Sequence, residues 1–241
     1  MEAGEPRYRR VLLKVSGEAL AGKGGFGVEP ETLGYMAGEI AKVHGSGVQT
    51  AVVVGGGNYI RGEAFSVKGG LDRTVADQMG MMATIINALA LQAAIEQLGV
   101  PTRVQSAINV AAVCESFIRR RAERHMEKGR VVVFAAGTGN PYFTTDTAAV
   151  LRALEIEADL LMKATKVDGV YDKDPKKHAD AVRYETISFD EVISKRLEVM
   201  DQTAFTMCRE HHLPVIVLDL NQPDAMVRAV RGEAVGTVVG G

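Results

Sequence analysis

An α/β sandwich, with a mainly parallel central sheet between layers of helices, is predicted by three features of this 241-residue chain. Apolar runs of strand length alternate with amphipathic helical stretches through most of the sequence, the order that a parallel sheet with crossover helices requires. Four of those runs end in clusters of glycine, small polar or charged residues. No repeat, low-complexity run or Gly/Ser linker interrupts the pattern, so one domain over residues 1–241 is expected.

The expected strands, in order, are 11–15 (VLLKV), 49–54 (QTAVVV), 102–105 (TRVQ), 131–135 (VVVFA), 159–163 (DLLMK) and 214–218 (PVIVL). All but TRVQ are rich in Val, Ile or Leu. Helices are expected over 30–43, opened by Pro30; 75–98, stopped by Gly99; 116–128; 146–157; and 223–231. The spacing of Ser188 and Glu191 is that of a capping box and marks a further helix start. Residues 166–184 are the polar, turn-rich exception. The 75–98 helix is apolar on nearly every face, through Met79, Met81, Met82, Ile85, Ile86, Leu89, Leu91, Ile95 and Leu98. It is expected to be buried on more than one side, in the core or with one face against a second subunit.

Composition narrows the function classes. The chain is 46% hydrophobic and 24% charged, ordinary for a globular protein, with a formal net charge of -2. That balance lacks the basic excess of a nucleic-acid binder but leaves room for a local basic pocket. Cys114 and Cys208 lie far apart without metal-ligand spacing, and read as buried thiols in a reducing compartment. The polar opening MEAGEPRYRR has no apolar h-region, and no wholly apolar run approaches about 18 residues, so a cytoplasmic protein with no membrane partner is expected.

The four strand-end clusters are KVSG at 14–17, GGGNYIRG at 55–62, GTGNPYFTTD at 137–146 and KATKVDG at 163–169. In a parallel sheet all four fall on the carboxyl edge, where open α/β sheets bind ligands. Glycines there let backbone N–H groups approach phosphate oxygens, and a helix N-terminus adds about half a positive charge. Residues 17–23, GEALAGK, match the first part of a Walker A loop, but Gly24 stands where Ser or Thr should bind magnesium. Three glycines in four positions follow Lys23, and the next credible helix starts only at Pro30, so a P-loop is rejected. GGGNYIRG also fails the dinucleotide fingerprint, because position 60 is Ile.

What remains is a phosphate site of strand-end glycines and separate lysines. Lys14 is nearly alone in the apolar run VLLKVSG, and Lys163 ends ADLLMK. Two such lysines suggest cations aimed into one crevice. Phosphoryl transfer needs that arrangement, since its transition state spreads negative charge over the oxygens of the moving group.

These segments, with DQMGMMAT, EIEADLLMKATKVDGVYDKDP and VMDQTAFTMC in the same order and spacing, resemble the amino acid kinase family on its bacterial uridylate kinase branch, over essentially the whole chain. The resemblance implies the three-layer amino acid kinase fold and transfer of the ATP γ-phosphate to UMP, with Mg²⁺ carried by ATP rather than held by a protein metal site. The alternatives are another small-molecule kinase of the same fold, or a nucleotide-binding regulatory or storage protein without turnover.

By resemblance, Lys14, Asp146, Lys163 and Arg61 are catalytic. ATP is held by Lys14, Val15, Ser16, Gly17, Gly57, Arg61, Thr165, Tyr171 and Asp174. UMP is held by Gly56, Asp77, Thr138, Gly139, Asn140, Pro141, Tyr142, Phe143, Thr144 and Thr145. Residues up to about 150 then serve mainly the acceptor, and those from 151 mainly ATP. The residues Gly22, Lys23, Gly24, Gly25, Phe26 and Gly27 fall where the family's GTP-responsive loop lies. UTP inhibition, GTP activation and a homohexamer are implied in the same way.

The side-chain chemistry suits these roles. Tyr171 offers an aromatic face to adenine, and Asp77 can accept from ribose hydroxyls. Thr138, Asn140, Thr144 and Thr145 can donate or accept toward a phosphate or a uracil edge. A phosphate monoester with a second pKa of about 6 is largely dianionic at neutral pH and needs no general base. Asp146 is therefore assigned as an organiser of Lys14, Lys163 and Mg²⁺, alongside a possible N-cap role. His211 and His212 are read as helix-end residues, and Arg119, Arg120, Arg121 and Arg124 as a solvated helix face.

Overall fold

The structure is a computed structural model that describes residues 6–60, 70–175, 177–197 and 199–240. In chain order its elements are β1 (Arg10–Val15), α1 (Pro30–Gly45), β2 (Gln49–Val54), α2 (Arg73–Gln97), β3 (Thr102–Ser106), β4 (Glu115–Ser116), α3 (Arg119–Glu127) and β5 (Val131–Ala135). There follow α4 (Thr145–Glu155), β6 (Leu160–Thr165), β7 (Thr186–Ile187), α5 (Phe189–Ser194), α6 (Gln202–Glu210), β8 (Val215–Asp219), α7 (Ala225–Val230) and β9 (Thr237–Val239). The strands form one sheet in the order β4-β3-β5-β2-β1-β6-β8-β9-β7. Every pairing is parallel except β8 with β9.

Strand alternation sorts the core into two layers. Val11, Leu13 and Val15 of β1 pack with Met36 and Ile40 of α1, Ile85 and Leu91 of α2 and Val227 and Val230 of α7. Leu12 joins Ala122 and Met126 of α3, Val150 of α4, Phe189 of α5 and Phe205 of α6 on the opposite face. Burying each such aliphatic or aromatic side chain contributes about 1.5–3 kcal/mol. Lys14 has the parity of Leu12, and Lys163 that of Leu161, so both lysines belong to the face that carries α4.

Element ends follow local chemistry. Pro30 starts α1 behind Glu29, whose carboxylate accepts from Thr32 N at 2.8 Å. The capping box at α5 forms as expected: Ser188 Oγ accepts from Glu191 N, and the Glu191 carboxylate accepts from Ser188 N. The helix expected from 116 begins at Arg119, because Glu115 and Ser116 pair with Gln105 and Ser106 as β4. On α3, Arg119 pairs with Glu123 at 2.8 Å and Arg124 with Glu127 at 3.2 Å, the solvated ladder the charges suggest.

Of the two placements expected for α2, burial wholly within this chain's core is not found, and one face is left uncovered by its own chain. Val75, Met79, Met82 and Ile86 are 45%, 36%, 48% and 49% exposed, a stripe at helical spacing along one face. The other face carries Ile85, Ala88, Leu91 and Ile95 into the core. By length and composition α2 is apolar enough to cross a bilayer. It nonetheless packs on the sheet, where the Thr84 hydroxyl accepts from Ala136 N and Asn87 donates to the Gly55 carbonyl, both buried bonds to other segments of the chain.

Candidate functional site

Strands β5, β2, β1 and β6 lie side by side and parallel, so the four glycine-rich or charged clusters open along one carboxyl edge. Lys14 and Lys163 are direct partners in the pairing of β1 with β6. Two like charges so placed would repel. Asp146, on the first turn of α4, descends between them, 2.8 Å from Lys14 Nζ through Oδ1 and 2.6 Å from Lys163 Nζ through Oδ2. Both contacts are ion pairs, and that at Oδ2 is also a hydrogen bond. Lys163 also donates to the carbonyl of Val199.

Burial opposes ionisation of Asp146, but the attraction of Lys14 and Lys163 outweighs it and holds the carboxyl below its ordinary value. For Lys163 burial dominates and lowers the ammonium's pKa, with Asp146 pulling the other way and Lys14 adding repulsion. The N-cap of α4 is not Asp146 but Thr144, whose hydroxyl accepts from Asp146 N at 3.1 Å and Thr147 N at 3.2 Å. The capping task falls on the threonine, and the carboxylate is left for the lysines.

The strand-end glycines meet at close quarters. A Cβ on Gly17 would lie 2.5 Å from Asn58 Oδ1 and 2.6 Å from the Gly55 carbonyl, and one on Gly56 would lie 2.7 Å from the Gly80 carbonyl of α2. No other residue fits at Gly17 or Gly56 without displacing backbone. Ser16 precedes the short 3₁₀ turn Gly17–Ala19. Val15 is buried, and its carbonyl accepts from Gly55 N, so its side chain is core and only its backbone borders the crevice. Gly57 lies beside Glu18. Arg61 lies outside the described residues.

The 137–146 cluster forms a tightly wound loop, with positive φ at Ala136, Gly137, Gly139 and Tyr142. Thr138 and Asn140 bond each other, Pro141 continues the turn, and Tyr142 and Phe143 are exposed. Asp77 reaches this loop from α2: its carboxylate accepts from Tyr142 N at 2.8 Å and is gripped by Arg73 Nε at 3.0 and 2.9 Å. Arg73 lies over the Tyr142 ring. Thr145, which opens α4, has its hydroxyl beside Gly55. Asp77, the 138–145 loop and Gly56 thus border one side of the lysine pair.

On the other side is a cavity of about 570 Å³ lined by Lys163, Thr165, Tyr171 and Asp174 among others. Its lining holds five basic residues, Lys163, Lys173, Lys177, Lys195 and Arg196, of which the four lysines are paired to Asp146, Asp180, Asp174 and Glu191. Tyr171 donates to Asp168 at 2.7 Å, and that bond, with burial, raises its phenol pKa. No local sequence pattern marks Lys195 or Arg196 as part of a site. Asp201 caps α6 at Ala204 N, 2.9 Å, and accepts from Thr144 and Thr147, tying α6 to the start of α4. Its signal was an Asp immediately before the helical pattern QTAFTMC.

Gly22–Gly24 is a 3₁₀ turn with Lys23 exposed, and α1 begins only at Pro30, as the rejection of the P-loop required. Lys23→Ala should therefore leave basal turnover within about twofold of the parent; a loss on the scale expected for Lys14→Ala in a steady-state assay would return the P-loop.

A mainly parallel sheet with paired lysines, a carboxylate between them and a cavity at its carboxyl edge has the architecture of a kinase of small molecules. The profile of the amino acid kinase family matches residues 9–219. The chain belongs to that family. It is 55% identical over 237 residues to the uridylate kinases of Xanthomonas oryzae pv. oryzae and Xanthomonas campestris pv. campestris, covering 98% of each chain. Among solved structures it resembles the UMP kinase of Bacillus anthracis, with a TM-score of 0.94, 37% identity and coverage of 97% of this chain and 96% of that one. The UMP kinase of Ureaplasma parvum gives a TM-score of 0.91 at 37% identity, covering 98% and 100%.

Proposed function

We propose that this chain moves the γ-phosphate of ATP to UMP, giving UDP and ADP. The observation that carries this reading is Asp146 held between Lys14 and Lys163, with a wound polar loop on one side and a cavity bordered by Lys163 and Tyr171 on the other. UMP is assigned to Gly56, Asp77 and residues 138–145, and the phosphates of ATP to Lys14, Ser16, Gly17 and Gly57. Thr165, Tyr171 and Asp174 take its nucleoside, and Arg61 keeps its assignment to the phosphates. On this reading residues up to about 150 serve mainly the acceptor, and those from 151 mainly ATP.

The dianionic phosphate of UMP is the nucleophile, so the site supplies charge and position rather than a base. Lys14 and Lys163 stabilise charge on the transferred group, and Asp146 sets the distance between them. Magnesium fits this donor set: Asp146 is a hard carboxylate with lone pairs beyond those the lysines take, and such ions are held by one or two carboxylates together with substrate phosphates. Bound there, it would neutralise further phosphate charge.

The same reading extends to assembly and control. The exposed apolar stripe of α2 supports a homo-oligomer, a hexamer by family likeness, whose subunits cover it. UTP as inhibitor, and GTP as activator acting through residues 22–27, complete the proposal, with the cytoplasm as its place of action. The deciding measurement is ADP release with ATP and, in turn, UMP, CMP, glutamate, acetylglutamate and carbamate, repeated with GTP and UTP. UMP-dependent release is the expected result; preference for another acceptor, or nucleotide binding without UDP, overturns it.

Asp77→Asn is expected to raise KM for UMP about tenfold with a smaller effect on kcat, because the variant loses the charge that holds Arg73 and part of its capacity to accept from a ribose. An unchanged KM for UMP would remove Asp77 from the acceptor site.

A further inference from the structure

Four chain segments meet at two buried asparagines. Asn58, 2% exposed, follows the strand-end glycines of β2, and Asn87, fully buried, lies midway along α2. Their amides pair reciprocally: Asn58 Nδ2 donates to Asn87 Oδ1 at 3.0 Å, and Asn87 Nδ2 donates to Asn58 Oδ1 at 2.7 Å. The remaining hydrogen on each amide reaches a different loop. Asn87 Nδ2 donates to the Gly55 carbonyl at 2.7 Å, and Asn58 Nδ2 donates to the Gly27 carbonyl at 2.6 Å. Gly27 N returns a bond to the Asn58 carbonyl at 3.1 Å, and Gly17 is pressed against Asn58 Oδ1.

All four amide hydrogens are used, so the network carries no unpaired donor. An apolar pair would fill this position beside Ala88 and Leu91 without desolvating two amides. What the amides add is direction. They set the Gly55 carbonyl, and with it the backbone of residues 55–57, against α2 and against residues 22–27. Ile86, the neighbour of Asn87, belongs to the exposed stripe, so a shift or rotation of α2 at its outer face carries Asn87 with it.

We infer that Asn58 and Asn87 are positioning residues, a relay that couples the pose of residues 22–27 and of α2 to the phosphate-facing glycines 55–57. This rests on the reading of Gly56 and Gly57 as phosphate-facing. The pair acts through the backbone of those glycines, beside the reacting groups rather than on them.

The chain contains no tryptophan, which makes a clean reporter available. Phe26 is 72% exposed and packs edge-on against Tyr59, the residue after Asn58, at 5.5 Å between centroids. In a Phe26→Trp parent, full chain, emission is followed while ATP is added, and UDP formation is measured separately. Asn58→Ala, Asn87→Ala and the double variant are then compared in that parent, with Asn87→Ser as the milder change should the alanine variant not fold. The expected result is an emission change in the parent that falls by about half or more in each variant. Alongside it, kcat should drop about tenfold in each single variant, with little further loss in the double, as for residues acting as one unit. KM for ATP should stay within about threefold. An emission response equal to the parent's, a parent that does not respond to ATP, or fully additive losses in kcat would overturn the relay. Absence of UDP formation by the parent would instead overturn the kinase reading, while the emission series with ATP alone still decides the relay.

Discussion

Lys14→Ala is expected to lower kcat by about two to three orders of magnitude while KM for UMP stays within about twofold. The ammonium stands at the crevice end of β1, paired to Asp146 at 2.8 Å and registered against Lys163, where charge on a moving phosphoryl group would need it. The residues proposed for the acceptor, by contrast, include Asp77 of α2 and the 138–145 loop, and the bonds of Asp77 to Arg73 and Tyr142 do not involve Lys14. Ground-state binding of UMP therefore survives while stabilisation of transferred charge is lost. Steady-state kinetics in UMP and ATP check this, and a variant with parental kcat would remove Lys14 from the chemistry.

Asp146→Asn should cost a comparable share of kcat, and it should also cost stability. The neutral amide leaves Lys14 and Lys163 facing each other without a counter-charge, and Lys163, already lowered by burial, then loses the attraction that opposed the fall. Removal of one partner from a buried ion pair is strongly destabilising; with the ammonium groups open to the crevice on one side, up to about 3 kcal/mol is expected. The pH dependence has a definite sign. Because the folded-state pKa of Asp146 is lowered, its stabilising contribution is complete above the unfolded carboxyl's value and is lost as pH falls through the folded one. The Tm gap between parent and Asp146→Asn should thus be widest near neutrality and narrow below about pH 4. A gap that is constant across that range would show that Asp146 is not held ionised by the lysines.

Much of the fold was legible because the central strands are long, doubly buried and apolar. The runs at 49–54 and 131–135 are β2 and β5 to the residue. The short strands β4, β7 and β9 were not read, since two or three residues carry no periodicity and are strands only through the neighbour they pair with. Which face of α2 its own chain covers was left open for a related reason: a helix apolar on nearly every face says nothing about which sides the rest of the chain will cover. At the site, Lys14 and Lys163 stood out as lone charges in apolar runs. Asp201, Lys195 and Arg196 did not, because an acid before a helix and bases at a helix end have ordinary local explanations.

Local chemistry alone settles which long apolar runs become strands, that glycines and charges gather at their ends, and that Lys23 is followed by glycines unable to open a helix. Packing between distant segments made Lys14 and Lys163 register partners and brought Asp146 down between them. It also decided that Thr144 takes the cap, and that Asn58 meets Asn87. Strand composition is a local property, set by burial and backbone preference. Register, helix placement and the pairing of buried amides depend on how distant segments pack, and no single stretch of chain contains that information.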